Sequence, residues 1–247
     1  MKVLLAVPRH RFIWPCSEKW LMEASFALAG AGHKLIYIPG DQLCKLDVER
    51  SREFICEMAT HQGADVLVMV DQDQYMSGPD TVKLAETCVK DDFTAIQAPY
   101  AIRSQDHSGV KAAPKPVWRF QPDGREFGKS EARIVKHHLE KGLPMRIHGF
   151  VGAGLLAINV PHLEYIKKPW WIKETMEESE DVAFSRRVTV AGRKLGVHMG
   201  LTSGEHWGAV CWRTDEMLRN LRVAVDRAET APESAEAPNG VMETKKP

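Results

Sequence analysis

Apolar positions along this chain fall into two alternating periods. KVLLAVP (residues 2–8), LIYIPGD (35–41), ADVLVMVD (64–71) and TAIQAPY (94–100) are short, nearly continuous apolar runs, the pattern of strands buried on both faces. Between them lie segments whose apolar residues recur at helical spacing. SEKWLMEASFALAGAGH (17–33) has Ser17 as its expected N-cap and stops at Gly30 and Gly32. VERSREFICEMATHQG (48–63) closes at Gly63, and PDTVKLAETCVKD (79–91) carries Pro79 in its first turn. Strand and helix in alternation predict an α/β fold with a mainly parallel central sheet and helices on both faces.

The pattern breaks at 101–129. AIRSQDHSGVKAAPKPVWRFQPDGREFG is rich in Pro and Gly and reads as a loop plus hairpin, a candidate acceptor-facing region. GFVGAGLLAINV (149–160) is a glycine-rich approach into a buried strand. SEDVAFSRRVTVAGRKLGVHMGL (179–201) predicts a helix, a stop at Gly192 and a further strand. One domain over 1–228 is expected, followed by a tail, 229–247, that lacks apolar periodicity and is expected to be disordered.

Composition narrows the class only a little. With 44% hydrophobic and 27% charged residues the chain is an ordinary globular protein, not a collagenous or disordered one. Lys plus Arg and Asp plus Glu both number 33, so no net charge draws it toward nucleic acid or anionic lipid. The apolar start is too short to span a bilayer and lacks a cleavage site. Five scattered cysteines, Cys16, Cys44, Cys56, Cys88 and Cys211, have no zinc-site spacing and predict free thiols in a reducing, cytoplasmic setting.

The chemistry concentrates where strands end. In VLVMVDQDQYMSGPD (66–80), Asp71 and Asp73 sit two apart and so point the same way at the carboxyl edge of the third strand, where open α/β sheets bind ligands. Two carboxylates held together repel unless a cation joins them, and a divalent metal resolves the conflict. The structural alternative is a solvated turn, with Asp73 capping a loop and Asp71 bonded to backbone amides. Glu180 and Asp181 form a second acidic pair. They complement a helix N-terminus, with Thr175 and Glu178 in a capping-box pattern, or one of them is a general base. His206, in SGEHWG, is either a turn residue or the imidazole that completes a mixed site for manganese or a similar ion. His10, His148 and His198 are read as structural, and His137 and His138 as lying on a solvated helix face.

Four segments in order resemble the GT-A-fold glycosyltransferases, the nucleotide-sugar-dependent class with a metal-binding Asp-x-Asp: VDQDQYMSGPD; APYAIR with PVWRFQPDG; HGFVGAGLLAINVPHLEYIKKPWW; and ESEDVAFSRRVTVAGRKLGVHMGLTSGEHWG. The resemblance covers about residues 1–210. It implies a Rossmann-like fold with a small antiparallel element, and transfer of a hexosyl or pentosyl unit from a nucleotide diphosphate donor to an acceptor hydroxyl. It also implies that Asp71, Asp73 and His206 hold manganese or magnesium, with Asp73 the surer direct ligand, and that Asp181, or else Glu180, faces the acceptor. Gly152, Ala153 and Gly154 would let backbone approach the sugar, Pro8 and Arg9 would lie near the base or ribose, and Arg103 would contact phosphate or acceptor. Arg186 and Arg187 are weaker candidates. PRHRFIWPC after the first strand departs from the shorter acidic or hydroxyl-rich turn of many such enzymes. No transmembrane anchor or C-terminal binding module is read, which suggests a compact, soluble enzyme of bacterial or phage type. Its acceptor is then a saccharide, a lipid-linked sugar, a protein, a small metabolite or a modified DNA base.

Two other classes compete. A nucleotidyltransferase also sets aspartates and a metal at a sheet edge, but carries a glycine-rich basic turn after its first strand, which PRHRFIWPCSEKW lacks. A non-catalytic sugar-nucleotide or glycan-binding module would have no need of Asp71, Asp73, Asp181 and His206 together. A DNA-binding role would fall to Arg103, Lys111, Lys115, Arg119 and Arg125, which otherwise read as a solvated loop.

Overall fold

In the computed structural model the described residues are 1–8, 15–37, 46–102, 115–116, 129–175, 178–206 and 212–230. The strands are β1 (Lys2–Ala6), β2 (Lys34–Tyr37), β3 (Val66–Val70), β4 (Gln74–Tyr75), β5 (Ala95–Gln97), β6 (Ala101–Ile102), β7 (Lys115–Pro116), β8 (Pro144–Ile147), β9 (Leu155–Asn159), β10 (Leu195–His198), β11 (Glu205–His206) and β12 (Trp212–Arg213). The helices are α1 (Pro15–Gly30), α2 (Val48–His61), α3 (Gly78–Lys90), α4 (Lys129–Lys141), α5 (Glu180–Val190) and α6 (Thr214–Thr230), with a 3-10 helix at Val160–Tyr165.

A seven-stranded sheet in the order β2-β1-β3-β9-β5-β10-β8 forms the centre. β2, β1, β3, β5 and β10 run one way; β9, between β3 and β5, and β8, at the edge, run against them. Small antiparallel sheets, β12-β11-β4 and β6-β7, stand apart from it. This mainly parallel Rossmann-like arrangement, helix-flanked and with small antiparallel elements, is the α/β fold class expected from the sequence.

Successive residues of a strand face opposite sides, and the core divides accordingly. Leu4, Leu67, Met69, Leu156 and Ile158 pack with Ile55 and Ala59 of α2, Phe184 and Val188 of α5, and Leu221 and Val225 of α6. Val3, Leu5, Val66, Val68 and Val70 pack on the other face with Trp20 and Leu28 of α1 and Leu84 and Cys88 of α3. α1 and α3 cross closely because position 78 is glycine: a Cβ there would lie 2.5 Å from the Glu23 carbonyl oxygen. Cys16, Cys56 and Cys88 are buried thiols outside any disulfide; Cys44 and Cys211 lie outside the described residues.

Several element ends differ from expectation. α1 starts at Pro15, so Ser17 is a buried residue of its first turn and not its cap. α5 is capped by the Ser179 side chain accepting from the Val182 amide, while Glu178 pairs with Arg186, which displaces the Thr175–Glu178 capping box. α6 runs to Thr230, past the expected start of the tail, and 231–247 lie outside the described residues. Within 101–129, β6 and β7 pair antiparallel with Ala101 opposite Pro116, and the expected loop and turn at 103–114 and 117–128 lie outside the described residues.

Candidate functional site

The candidate site forms where β3 ends, β9 begins and α5 starts. β9 runs against β3 with Leu155 opposite Val70, so the glycine-rich turn before β9 lies beside the residue after β3. The Asp71 amide donates to the Gly154 carbonyl at 2.9 Å. The turn is held from beneath by buried side chains. Gln97 Oε1 accepts from the Gly152 amide at 2.7 Å, the Tyr100 hydroxyl accepts from the Gly154 amide at 3.1 Å, and Ser185 Oγ accepts from the Val151 amide at 3.2 Å. Position 154 requires glycine here, because a Cβ would meet the Tyr100 ring at 2.8 Å.

Asp71, Glu180 and Asp181 converge on one guanidinium. Arg52 Nη2 donates to Asp71 Oδ1 at 2.8 Å, and Nη1 donates to Asp181 Oδ1 at 3.0 Å and to Glu180 Oε1 at 2.5 Å. The Arg52 side chain is 3% exposed, while Glu180, Asp181 and Asp71 are 19%, 20% and 31% exposed, so the cation lies beneath and carboxylate edges face outward. Arg52 also lies over the Trp171 ring, 5.3 Å from its centroid, and Trp171 stacks on Phe184 of α5 at 4.2 Å. Glu53, next to Arg52 on α2, accepts from the Trp170 and Trp171 amides, which fixes that floor.

Burial works against the Arg52 charge, but Asp71, then Asp181 and Glu180, more than restore it, so the guanidinium stays protonated. Asp181 is pushed up to about 7, chiefly by burial, against the pull of Arg52, with the Glu180 and Asp71 charges adding to the rise. Burial, then Asp181 and Asp71, drive the Tyr100 phenol well above its ordinary range, so it stays neutral beneath the turn.

Asp73 takes a different partner. Its Oδ2 lies 3.1 Å from His206 Nε2, because β11 pairs with β4 and sets His206 opposite Gln74. The approach to β11 is fastened to α3: Asp80 Oδ2 accepts from the Thr202 and Ser203 amides and from Ser203 Oγ, and Ser203 Oγ accepts from the Ser77 amide. Gly204 makes the next contact, its carbonyl accepting from the Thr214 amide, with Thr214 Oγ1 at 2.4 Å from where a Cβ would stand.

A carboxylate and an imidazole at this separation, with Asp73 30% exposed, suit a borderline divalent ion that draws its other ligands from phosphate and water. Asp71 Oδ1 is bonded to Arg52, so a cation at this edge would meet Asp71 through its second oxygen. Among the described residues no three His, Cys, Asp or Glu side chains group so as to hold a metal unaided.

The two expected acidic pairs and His206 thus lie around one sheet edge, with Gly152, Ala153 and Gly154 beside them. Ala153 also makes a backbone hydrogen bond to the Asp181 carboxylate. Pro8 is buried at the end of β1. Arg9 and Arg103, like Lys111, Arg119 and Arg125, lie outside the described residues, and of Lys115 only the backbone pairing is described. Arg186 and Arg187 pair with Glu174 and Glu178 and with the carbonyls of Trp170 and Ile172, away from the Arg52 cluster. Sequence reasoning passed over Arg52, although its signal was present: Arg52, Ile55, Cys56 and Ala59 occupy one buried face of α2, and arginine is almost never buried without a charged partner.

No protein-family model matches the chain, and no curated protein matches it. Solved structures do. The A197 protein from STIV is similar with a TM-score of 0.56 at 16% identity, over 87% of this chain and 92% of that one. A structure of GalNAc-T7 with UDP, GalNAc and Mn2+ has a TM-score of 0.44 at 14% identity, over 81% of this chain and 42% of that one. A glycosyltransferase involved in glycosylation of the major capsid of PBCV-1 has a TM-score of 0.42 at 11% identity, over 90% and 98%. The first likeness establishes a shared fold; the other two are too distant to bear on function.

Proposed function

We propose that the chain is a glycosyltransferase that moves a sugar from a nucleotide diphosphate donor to an acceptor hydroxyl, with help from a divalent cation. The observation that carries this reading is the placement, at one sheet edge, of the Asp73–His206 pair, two donors that would suit a cation, with a buried carboxylate whose burial would suit it to proton abstraction. Asp73 and His206 would hold the cation. When bound there, manganese or magnesium supplies neutralisation of the charge that develops on the leaving diphosphate. The turn at Gly152–Gly154 is buried and held by Gln97 and Tyr100, so in this reading it would support the donor-sugar pocket from beneath.

Asp181 takes the proton of the acceptor hydroxyl as the oxygen attacks the anomeric carbon, and the bond to the diphosphate oxygen breaks with its electron pair going to the leaving group. A base titrating near neutrality combines an available ionised form with real proton affinity, and burial gives Asp181 that balance. Glu180 is the second candidate for the base. Arg52 neutralises the Asp71 carboxylate from below.

The test is turnover with a panel of sugar nucleotides, followed by proton NMR, with water or a simple saccharide as acceptor. Metal-dependent release of a nucleoside diphosphate with inversion at the anomeric carbon is expected. No release from any donor contradicts the reading, and retention of configuration contradicts the role given to Asp181.

A further inference from the structure

We infer that Arg52 is a positioning residue of this site, the tie that holds the first turn of α5 against the end of β3 and so places Asp181 for its task. The inference rests on the transfer reading for its chemistry, but its geometry stands independently. Arg52 comes from α2, Asp71 from the residue after β3, and Glu180 and Asp181 from α5; no other side chain described here bonds to all three. Both Nη groups are used, one for each side of the junction, so the guanidinium spans the gap as a fork. A lysine ammonium, a point charge, cannot span it in the same way.

The fork is itself immobilised. Its face lies on Trp171, whose indole Nε1 donates to Cys56 Sγ on α2 at 3.3 Å and whose ring stacks on Phe184 of α5. Burial excludes water as a substitute partner. The charged and titratable groups around Asp181 are Arg52 from α2, Glu180 on its own helix, Asp71 from the strand end, and Tyr100 beneath the turn. Without Arg52 the three carboxylates face one another with no cation between them, and the first turn of α5 would be displaced. A shift of about 1 Å in a reacting group lowers turnover by roughly 100-fold.

Arg52→Lys is the informative substitution, with Arg52→Met/Glu180→Gln as a charge-compensated second variant. Three quantities are read: Mn2+-dependent binding of uridine, guanosine, cytidine and adenosine diphosphates by calorimetry, donor turnover as separate kcat and KM, and amide hydrogen exchange across residues 180–184. In a positioning role, nucleotide affinity stays within about threefold of wild type, kcat falls by roughly 100-fold, and exchange quickens in the first turn of α5 while α3 and α6 keep their protection. Unchanged kcat and unchanged exchange overturn the inference. So does a fall in turnover wholly accounted for by weaker nucleotide binding, since Arg52 would then contact the donor. Failure of both variants to fold marks Arg52 as a general stability residue and overturns it too. If the wild type binds none of the four nucleotides, the transfer reading fails, and the exchange measurement alone still decides whether Arg52 positions α5.

Discussion

Asp181 sits where burial lifts its carboxyl to about 7, and that single residue sets function against stability. As a base it must be ionised, so turnover should decline as pH falls below about 7, and Asp181→Asn should lose about 10²- to 10⁴-fold in turnover while keeping nucleotide binding. The stability consequence has the opposite sign to that of an ordinary salt-bridged aspartate. Its folded pKa lies above the unfolded value of roughly 3.9, so between these two values the native chain holds a proton that the unfolded chain has released. Stability therefore falls as pH rises through that window, and the full cost is present above about 7. Asp181→Asn should melt higher than wild type at pH 8, by about 2–4 °C for each kcal/mol relieved at this chain length, and the gap should close below pH 4. Melting curves for the two proteins across pH check this, and an equal or lower Tm for the variant at pH 8 contradicts it. Asp71 marks the limit of sequence reading at this scale. Its spacing from Asp73 and its position at a strand end were legible, but its countercharge lies 19 residues earlier on a helix. Local spacing carries no information about such a partner.

At the scale of elements, the small sheet that carries His206 is fastened by α3. Asp80 gathers two amides and a hydroxyl from residues 202–203, so Asp80→Ala should leave three donors short of a partner. A loss of about 1–3 kcal/mol in stability is expected, together with weaker Mn2+ binding, because β11 would no longer be held against β4. Thermal melts and a Mn2+ titration of the variant measure the two effects, and an unchanged Mn2+ affinity would separate the Asp80 anchor from the cation site. Gly78→Ala is the packing counterpart in the same first turn of α3. It drives a Cβ into backbone at Glu23 and should cost about 1–3 kcal/mol without altering the site. Long elements were legible because their periods repeat: β3 and α2 lie nearly where their apolar patterns place them. β4, β11 and β12 are two residues each, too short for any period, and their pairing is fixed by tertiary contacts. The capping of α5 by Ser179 was hidden for a related reason, since serine, threonine and glutamate crowd the segment before the helix and several cap assignments satisfy the local pattern.

For the whole molecule, the alternation of buried runs and amphipathic helices was enough to predict a helix-covered, mainly parallel sheet, because every strand must bury two faces. It was not enough to predict that β9 enters the sheet reversed between β3 and β5. That reversal is what brings Gly152–Gly154 to the same edge as Asp71, since an antiparallel strand begins where its neighbours end. The sheet edge then carries the Asp73–His206 pair, the glycine turn and the buried Asp181 together, each supplied by a different stretch of chain. Among the described residues no helix is long and apolar enough to cross a membrane. The central claim, that this edge binds a nucleotide diphosphate through a cation held by Asp73 and His206, is tested most directly by calorimetric titration of the four nucleoside diphosphates with and without Mn2+. Binding of at least one nucleotide that requires Mn2+ in the wild type, and that is weakened or lost in Asp73→Ala with Mn2+ present, is the predicted result. Nucleotide binding indifferent to Mn2+, or no binding at all, would contradict the account.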